Sequence, residues 1–382
     1  MKSDSNQSSN SFYDLKPDHV LDRLDKNGYN TSGHILALNS LENRVYRVGL
    51  EDKNNVVVKC YRPGRWTREQ IQEEHDYILE LQIAGLQVLP PIPFSTGSTI
   101  SIEEDGIPYS IWPLNPGRIV EEFSFDDLPI IGRMLANLHN ISESKTTQTR
   151  THLNIENYAK PALDYILEKA NLPDSLRKTY QRTALSTFQE YEALADFVPF
   201  QRIHGDCHKG NILSSKDGFV FIDFDDHCMG PIVQDFWMLL PFGDESSTYE
   251  RQIFLDAYKE FRHVDEAWFR LIPALRGIRY IYYSAWILKR WDDPSFPNAF
   301  PHFGTEEYWE KEVRDLESLL EGNDDTNFPS FLEEDSKNYE KEKSNEHINN
   351  QDENLEKLDN SNPTNKKKEI TNKDLFWDWE GD

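Results

Sequence analysis

The feature that most restricts the fold of this chain is a pair of short apolar runs, Ile212-Leu-Ser-Ser215 and Phe219-Val-Phe-Ile222, arranged about Lys216-Asp217-Gly218. A three-residue hairpin loop with Gly218 in the left-handed conformation sets a register in which Asn211 stands directly opposite Asp223. An amide oxygen and a carboxylate brought that close can share one hard divalent cation. Magnesium fits such a pair, because it takes few protein oxygens and leaves its other positions to water and phosphates.

Asp206 lies five residues before Asn211 in the stretch RIHGDCHKGNIL and faces the same space from the loop ahead of the hairpin. There it is placed to orient a hydroxyl and accept its proton, as the Asp of a kinase catalytic loop does five residues before a metal-binding Asn. A phosphoryl donor also needs a cation at its phosphates, and Lys59 in the strand-like run VVVKCY supplies one. Such a lysine is held by a helix carboxylate, for which Glu73 and Glu74 both qualify. A lone Asp-x-x-x-x-Asn is weak evidence, whereas the ordered set of Lys, Glu, Asp, Asn and Asp is strong.

Zinc ligation by His204 and His208 competes for the same motif, since alternate side chains of an extended segment share a face. A catalytic zinc wants a third ligand, and no matching His cluster lies elsewhere in the chain, so the two histidines are read as bracing the loop. Asp225 and Asp226 are read as turn residues before Gly230-Pro231, with assistance to the metal or substrate as the alternative. The stripe Arg279, Tyr283, Trp286 and Arg290 is read as core packing, with an acceptor pocket or a quaternary-ammonium wall as the alternative.

Along the chain, a polar opening (residues 1–12) is expected to be disordered. HVLDRLDKNG then reads as a short helix closed by Gly28. Three β-rich runs follow, Ile35–Leu38, Val45–Val48 and Val56–Tyr61, as an antiparallel meander, then a helix capped by Thr67 and ended by Gly85. A further hairpin, Thr99–Ile102 with Tyr109–Trp112, leads to Pro113-Leu-Asn-Pro-Gly117, read as a lobe boundary. Beyond it the pattern is helical, including a long segment from Tyr158 to Ala193, with strands only near 200 to 224. A strand-rich lobe (13–113) ahead of a mainly helical one (114–323) is an α+β plan. Residues 324–382 are acidic and polar, with an aromatic island at Leu375–Trp379, and are expected to form a disordered tail.

A formal net charge of -26 opposes any phosphate backbone, so nucleic acid is set aside. No run approaches the roughly 20 apolar residues a membrane span requires. The three cysteines, Cys60, Cys207 and Cys228, lack metal or redox spacing and are read as buried, reduced thiols.

HGDCHKGNIL followed by FIDFDD resembles the motif of the aminoglycoside phosphotransferase and choline kinase superfamily. LNSLENRVYRV, VVVKCYRPGRWTREQIQEEH, GPIVQDFWMLL and RYIYYSAWILKRWDDPSFPNAFP are more closely similar to the stress response kinase A family. The resemblance spans about residues 12 to 320 and leaves the tail outside. It implies a bilobal protein-kinase-like fold and an ATP- and magnesium-dependent, cytoplasmic Ser/Thr protein kinase of stress protection, with a monomer as the default. By motif, Asp206 is the implied proton acceptor and Asn211 and Asp223 the magnesium ligands. Ser40 and Lys59 are implied nucleotide contacts, Glu74 rather than Glu73 the partner of Lys59, and Asp235 a brace for the catalytic loop. Two departures from ordinary protein kinases stand out. No G-x-G-x-x-G covers the phosphates, and His-Gly-Asp replaces His-Arg-Asp, removing the usual partner of an activation-loop phosphate. A small-molecule kinase remains an alternative, because the motif concerns the donor and not the acceptor. A non-catalytic scaffold is the other.

Overall fold

A computed structural model of the protein describes residues 12, 13, 15–38, 40–240 and 245–321. The expected disorder of residues 1–11 and of the acidic tail, including the aromatic island, lies outside the described residues.

Five antiparallel strands form the first lobe: β1 (Thr31–Leu38), β2 (Arg44–Leu50), β3 (Asn55–Cys60), β4 (Ser101–Ile102) and β5 (Pro108–Pro113), in the order β1-β2-β3-β5-β4. Strand alternation sorts VVVKC into two faces. Val56, Val58 and Cys60 enter the lobe's own core with Val48, Tyr109 and Ile111, while Val57 and Lys59 face the cleft. Helix α1 (Pro17–Lys26) closes that core with Val20 and Leu24, and Phe12, at the edge of the polar opening, is buried beside them. Helix α2 (Arg68–Ile83) starts at a reciprocal cap in which Thr67 Oγ1 accepts from the Gln70 amide and the Gln70 side chain accepts from the Thr67 amide. It ends near Gly85, whose φ of 93° suits only glycine comfortably.

The second lobe is built on α3 (Asp127–Ser142), α4 (Lys160–Lys169), α5 (Asp174–Ala195), α6 (Val233–Leu239), α7 (Glu245–Lys259), α8 (Ile272–Lys289), α9 (Ser295–Ala299) and α10 (Glu306–Leu320). Leu135, Leu138, Tyr180, Phe188, Phe236, Leu275 and Trp309 belong to its core. The segment expected as one helix from Tyr158 to Ala193 is instead a single π turn, Ile155–Ala159, followed by α4 and α5. Pro173 explains the break, because it lacks an amide and bars its predecessor from helical backbone. Small sheets interrupt the helices: β7 (Phe200–Ile203) pairs with β10 (Cys228–Pro231), and β6 (Arg118–Ile119) pairs with β8 (Ile212–Ser215), which pairs with β9 (Gly218–Phe221). Gly230 and Pro231 end the strand β10. Pro231 sits in its last position, where a missing donor is tolerated.

The hairpin register differs from expectation by one residue. Ser215 pairs with Gly218, leaving a two-residue turn, Lys216-Asp217, so that Ile212 faces Phe221 and Asn211 stands opposite Ile222. The Ile222 amide donates to the Asn211 carbonyl at 3.0 Å, carrying that pairing one step on. A regular strand would then point Asp223 away from the face of Asn211. Asp223 instead adopts φ 58°, ψ 67°, a left-handed bend that redirects its side chain toward Lys59.

Candidate active site

A cavity of about 1320 Å³ lies between the lobes, and the residues expected to serve nucleotide, metal and proton transfer line it: Ser40, Lys59, Glu74, Asp206, Asn211 and Asp223. Its size exceeds the several hundred Å³ usual for one small ligand, leaving room for a nucleotide and an acceptor together.

Lys59 reaches three carboxylates, Asp223 at 3.0 Å, Asp225 at 3.4 Å and Glu74 at 3.5 Å. Burial disfavours its ammonium, yet Asp223, Asp225 and Glu74 together hold its pKa well above the ordinary value. For Glu74 the balance runs the other way. Burial, reinforced by Asp225, outweighs Lys59 and pushes this carboxyl up to about 8. Glu73 does not compete for the lysine, nor is it merely a solvated charge. It accepts from the Thr149 amide at 2.9 Å and also bonds the Gln148 amide and the Thr149 hydroxyl, which ties α2 to the second lobe.

Asp225 does lie in a turn, the 3-10 segment Phe224–Asp226, but it also belongs to the site. It is buried, with Lys59 on one side, Arg65 Nη1 at 2.9 Å and Asn43 Nδ2 at 3.1 Å. Burial raises its pKa, but Lys59, Arg65 and Arg150 more than reverse this and hold the carboxyl below the usual range. Arg65 also reaches Asp226 at 2.6 Å. The arginines come from outside the motif, and the local sequence carries no periodic signal that would have marked them.

The loop before the hairpin is fixed from beneath. Asp235, fully buried near the start of α6, accepts the His204 and Gly205 amides, each at 2.9 Å. His139 Nε2 lies 3.2 Å from the same carboxylate, and Tyr258 holds the other ring nitrogen at 2.8 Å. Gly205 has φ 82°, and a Cβ there would lie 2.3 Å from the Asp226 carbonyl oxygen. The glycine of His-Gly-Asp is thus required twice, by its dihedral and by its neighbour. His204 Nε2 lies 3.0 Å from the Ile222 carbonyl, in keeping with a bracing role. Among the described residues no three His, Cys, Asp or Glu side chains form a metal cage.

Asp206 presents its carboxylate to the cavity. Asn211 Nδ2 donates to its backbone carbonyl at 2.9 Å and to Oδ2 at 3.3 Å, and Arg279 holds Oδ1. Burial pushes this carboxyl up, but Arg279 and His208 overcome it and keep the group ionised, well below the carboxylate range. Because the Asn211 amide nitrogen faces Asp206, its Oδ1 is left without a hydrogen-bond donor among the described residues. An oxygen so placed, lining one cavity with the half-exposed Asp223 carboxylate, is a donor set that fits a hard cation. Ser40 Oγ accepts from the Asn43 amide at 3.2 Å in the segment leading into β2, and both residues line the cavity.

The stripe on α8 is not simple core. Arg279, Tyr283 and Trp286 line the cavity, and Arg290 instead pairs with Glu42 at 2.9 Å. Cys60, Cys207 and Cys228 are all free and buried, and burial drives the Cys60 thiol up to about 12. No helix among the described residues is long and apolar enough to cross a membrane.

Residues 34–272 match the phosphotransferase enzyme family. Stress response kinase A of Salmonella choleraesuis is 36% identical over 311 residues, covering 81% of this chain and 93% of its own. Its counterpart in Escherichia coli K12 is 35% identical over 306 residues, covering 80% and 92%. Serine/threonine protein kinase RdoA of Salmonella typhimurium is 36% identical over 311 residues, with coverage of 81% and 93%. Among solved structures, amicoumacin kinase hAmiN in complex with AMP-PNP, Ca2+ and Ami aligns with a TM-score of 0.65 at 18% identity, over 81% of this chain and 94% of that one. A microcompartment-associated aminopropanol kinase aligns at 0.60 and 19%, over 78% and 94%. At such identities these two speak for the fold alone, which is the bilobal α+β fold of aminoglycoside phosphotransferase and choline kinase-like enzymes. On the match to the family and the extent of identity with its curated members, the chain belongs to the phosphotransferase enzyme family as a kinase of the stress response kinase A group.

Proposed function

We propose that the protein transfers the γ-phosphoryl group of ATP, in the presence of magnesium, to a Ser or Thr hydroxyl of a protein acceptor in a cytoplasmic stress response. The observation that carries this reading is the convergence of Lys59, Asp223, Asn211 and Asp206 on one cavity. The names of the relatives support the acceptor class.

The apolar end of the cavity, with Val45, Val57, Leu114 and Leu213, suits a flat base. Lys59, gathered among three carboxylates, is placed to serve the phosphates, with Glu74 Oε1 3.5 Å from its ammonium to hold it in line. Asn211 Oδ1 and Asp223 would hold magnesium, which when bound neutralises charge on the phosphates. Ser40, in the segment leading into β2, would add a nucleotide contact. Asp206, ionised and fixed from both oxygens, accepts a hydrogen bond from the acceptor hydroxyl and aims its oxygen at the γ-phosphorus. The new O–P bond forms as the β,γ-bridging O–P bond breaks, ADP leaves, and the hydroxyl proton passes to Asp206 or to the phosphate. A carboxylate held this far below the usual range contributes more by alignment than by basicity.

The test is Asp206→Ala assayed with labelled ATP against separate protein and metabolite pools. Transfer should fall by about 10²–10⁴-fold with nucleotide binding retained. Undiminished turnover in the variant would remove Asp206 from the mechanism, and label confined to the metabolite pool would replace the protein acceptor with a small molecule.

A further inference from the structure

We infer that Arg279 is a positioning and specificity residue, holding Asp206 in place and selecting acceptor hydroxyls that carry an anionic group nearby. The inference rests on the phosphotransfer reading above and extends it to the acceptor.

Arg279 projects from α8 into the acceptor side of the cavity and meets Asp206 Oδ1 through one guanidinium nitrogen. No second hydrogen bond holds the guanidinium among the described residues, and its side chain keeps 23% of its surface exposed, about as much as Asp206 with 21%. A guanidinium has five N–H donors in a planar fork, so the donors left over are free to take a second oxyanion without releasing the first. The other charged and titratable groups facing it are Asp226, Tyr158, Tyr283 and the buried thiol of Cys228. Asp226 is already engaged by Arg65 at 2.6 Å. The tyrosines are neutral hydroxyls with pKa values raised by burial.

The surroundings point the same way. Tyr158, set by the π turn, stacks on Tyr282 at 3.9 Å and 11°, and Tyr283 stacks on Trp286 at 5.3 Å and 16°. This aromatic wall is the feature that would hold a quaternary ammonium, but its face is already served by cations. The Arg290 guanidinium lies 5.1 Å from the Trp286 ring, and Arg279 stands beside Tyr283. An acceptor ammonium arriving at Asp206 would meet Arg279 first, whereas a carboxylate or phosphate would be drawn to it. The spacing sets the substrate class: a hydroxyl with an anionic group a few bonds away, as in a serine flanked by an acidic residue.

The experiment compares wild type, Arg279→Gln and Arg279→Lys on matched serine peptides flanked by Glu, Ala or Lys. Two small acceptors of equal length, 3-hydroxypropionate and 3-aminopropanol, form a second arm. Wild type should favour the anionic member of whichever arm it phosphorylates by at least about tenfold in kcat/KM, the scale of one charge-assisted contact. Arg279→Gln should erase that preference, chiefly through KM, and Arg279→Lys should restore part of it. A purely structural role lowers every acceptor alike and leaves the ratio unchanged, which would overturn the inference, as would a wild-type preference for the cationic member. Thermal melts with and without AMP-PNP report folding, and if the glutamine variant does not fold, the lysine variant must still shift the ratio. Transfer without charge preference sinks this inference alone, while no transfer to either arm sinks the phosphotransfer reading with it.

Discussion

Replacing Gly205 by Ala tests whether the catalytic loop is built as described. The perturbation adds one methyl group at φ 82° and 2.3 Å from the Asp226 carbonyl oxygen. A left-handed backbone costs an alanine about 1–2 kcal/mol. The contact with a backbone atom cannot be relieved by a side-chain rotation, and such overpacking adds about 1–3 kcal/mol. The sum is about 2–5 kcal/mol, with the displacement falling on the segment between the His204–Asp206 loop and the Asp223–Asp226 turn. Gly97 supplies the control, since it has nearly the same dihedral, φ 83°, and nothing within 4 Å of an added Cβ. Gly97→Ala should therefore cost only the backbone part. Thermal unfolding of both variants, followed by steady-state kinetics, separates the terms. Gly205→Ala should melt lower than Gly97→Ala and lose at least about tenfold in kcat, because a misplacement near 1 Å in a catalytic constellation costs on that order or more. Equal melting temperatures and undiminished turnover would refute the close approach of the two segments.

Glu74→Ala should reduce kcat/KM by about 10–100-fold by releasing Lys59, whereas Glu73→Ala should leave chemistry nearly intact and lower the melting temperature by loosening the 148–149 segment; steady-state kinetics beside thermal melts distinguish them. Asp235→Asn should cost about 3 kcal/mol, since an amide cannot accept both loop N–H groups and keep His139 as its third neighbour, and the loss should appear in urea midpoints. Glu312, in α10, is buried with Ser284 Oγ at 2.8 Å, and burial pushes its carboxyl up to about 8. Its folded pKa lies above its unfolded one, so the stability it contributes is complete below about pH 4.5 and is lost as pH rises toward 8, at up to ~1.4 kcal/mol per unit. Glu312→Gln should flatten that decline in melting temperature between pH 6 and 9, and an unchanged slope would show that another group titrates.

The small lobe was legible because its signals are local. Alternation in VVVKC separates core from cleft, and the Thr67 cap and Gly85 stop mark α2 without reference to anything distant. The same holds for the spacing of Asp206 and Asn211, which one loop and one turn determine. What escaped was fixed by geometry a residue or two wide or by partners far along the chain. The hairpin register hinged on whether Gly218 belongs to the turn or to the strand, and a hydrophobic pattern flanking it suits both. Asp225 reads as a turn residue until Lys59, Arg65 and Asn43, more than 150 positions earlier, close around it. Arg279 sits on a stripe whose aromatic neighbours argue for core, and only the arrival of Asp206 from another segment gives it a polar purpose.

The pairs that bridge the two lobes carry a consequence for how the enzyme cycles. Glu42 reaches Trp286 Nε1 at 2.7 Å and Arg290 at 2.9 Å, Arg62 reaches Asp293 at 2.8 Å, and Arg65 reaches Asp225 at 2.9 Å. Separating the jaws along this seam would break all of these largely buried contacts together, so the lobes resist parting there. The seam therefore works as a fixed gusset rather than a latch, keeping the two halves of the frame in one register.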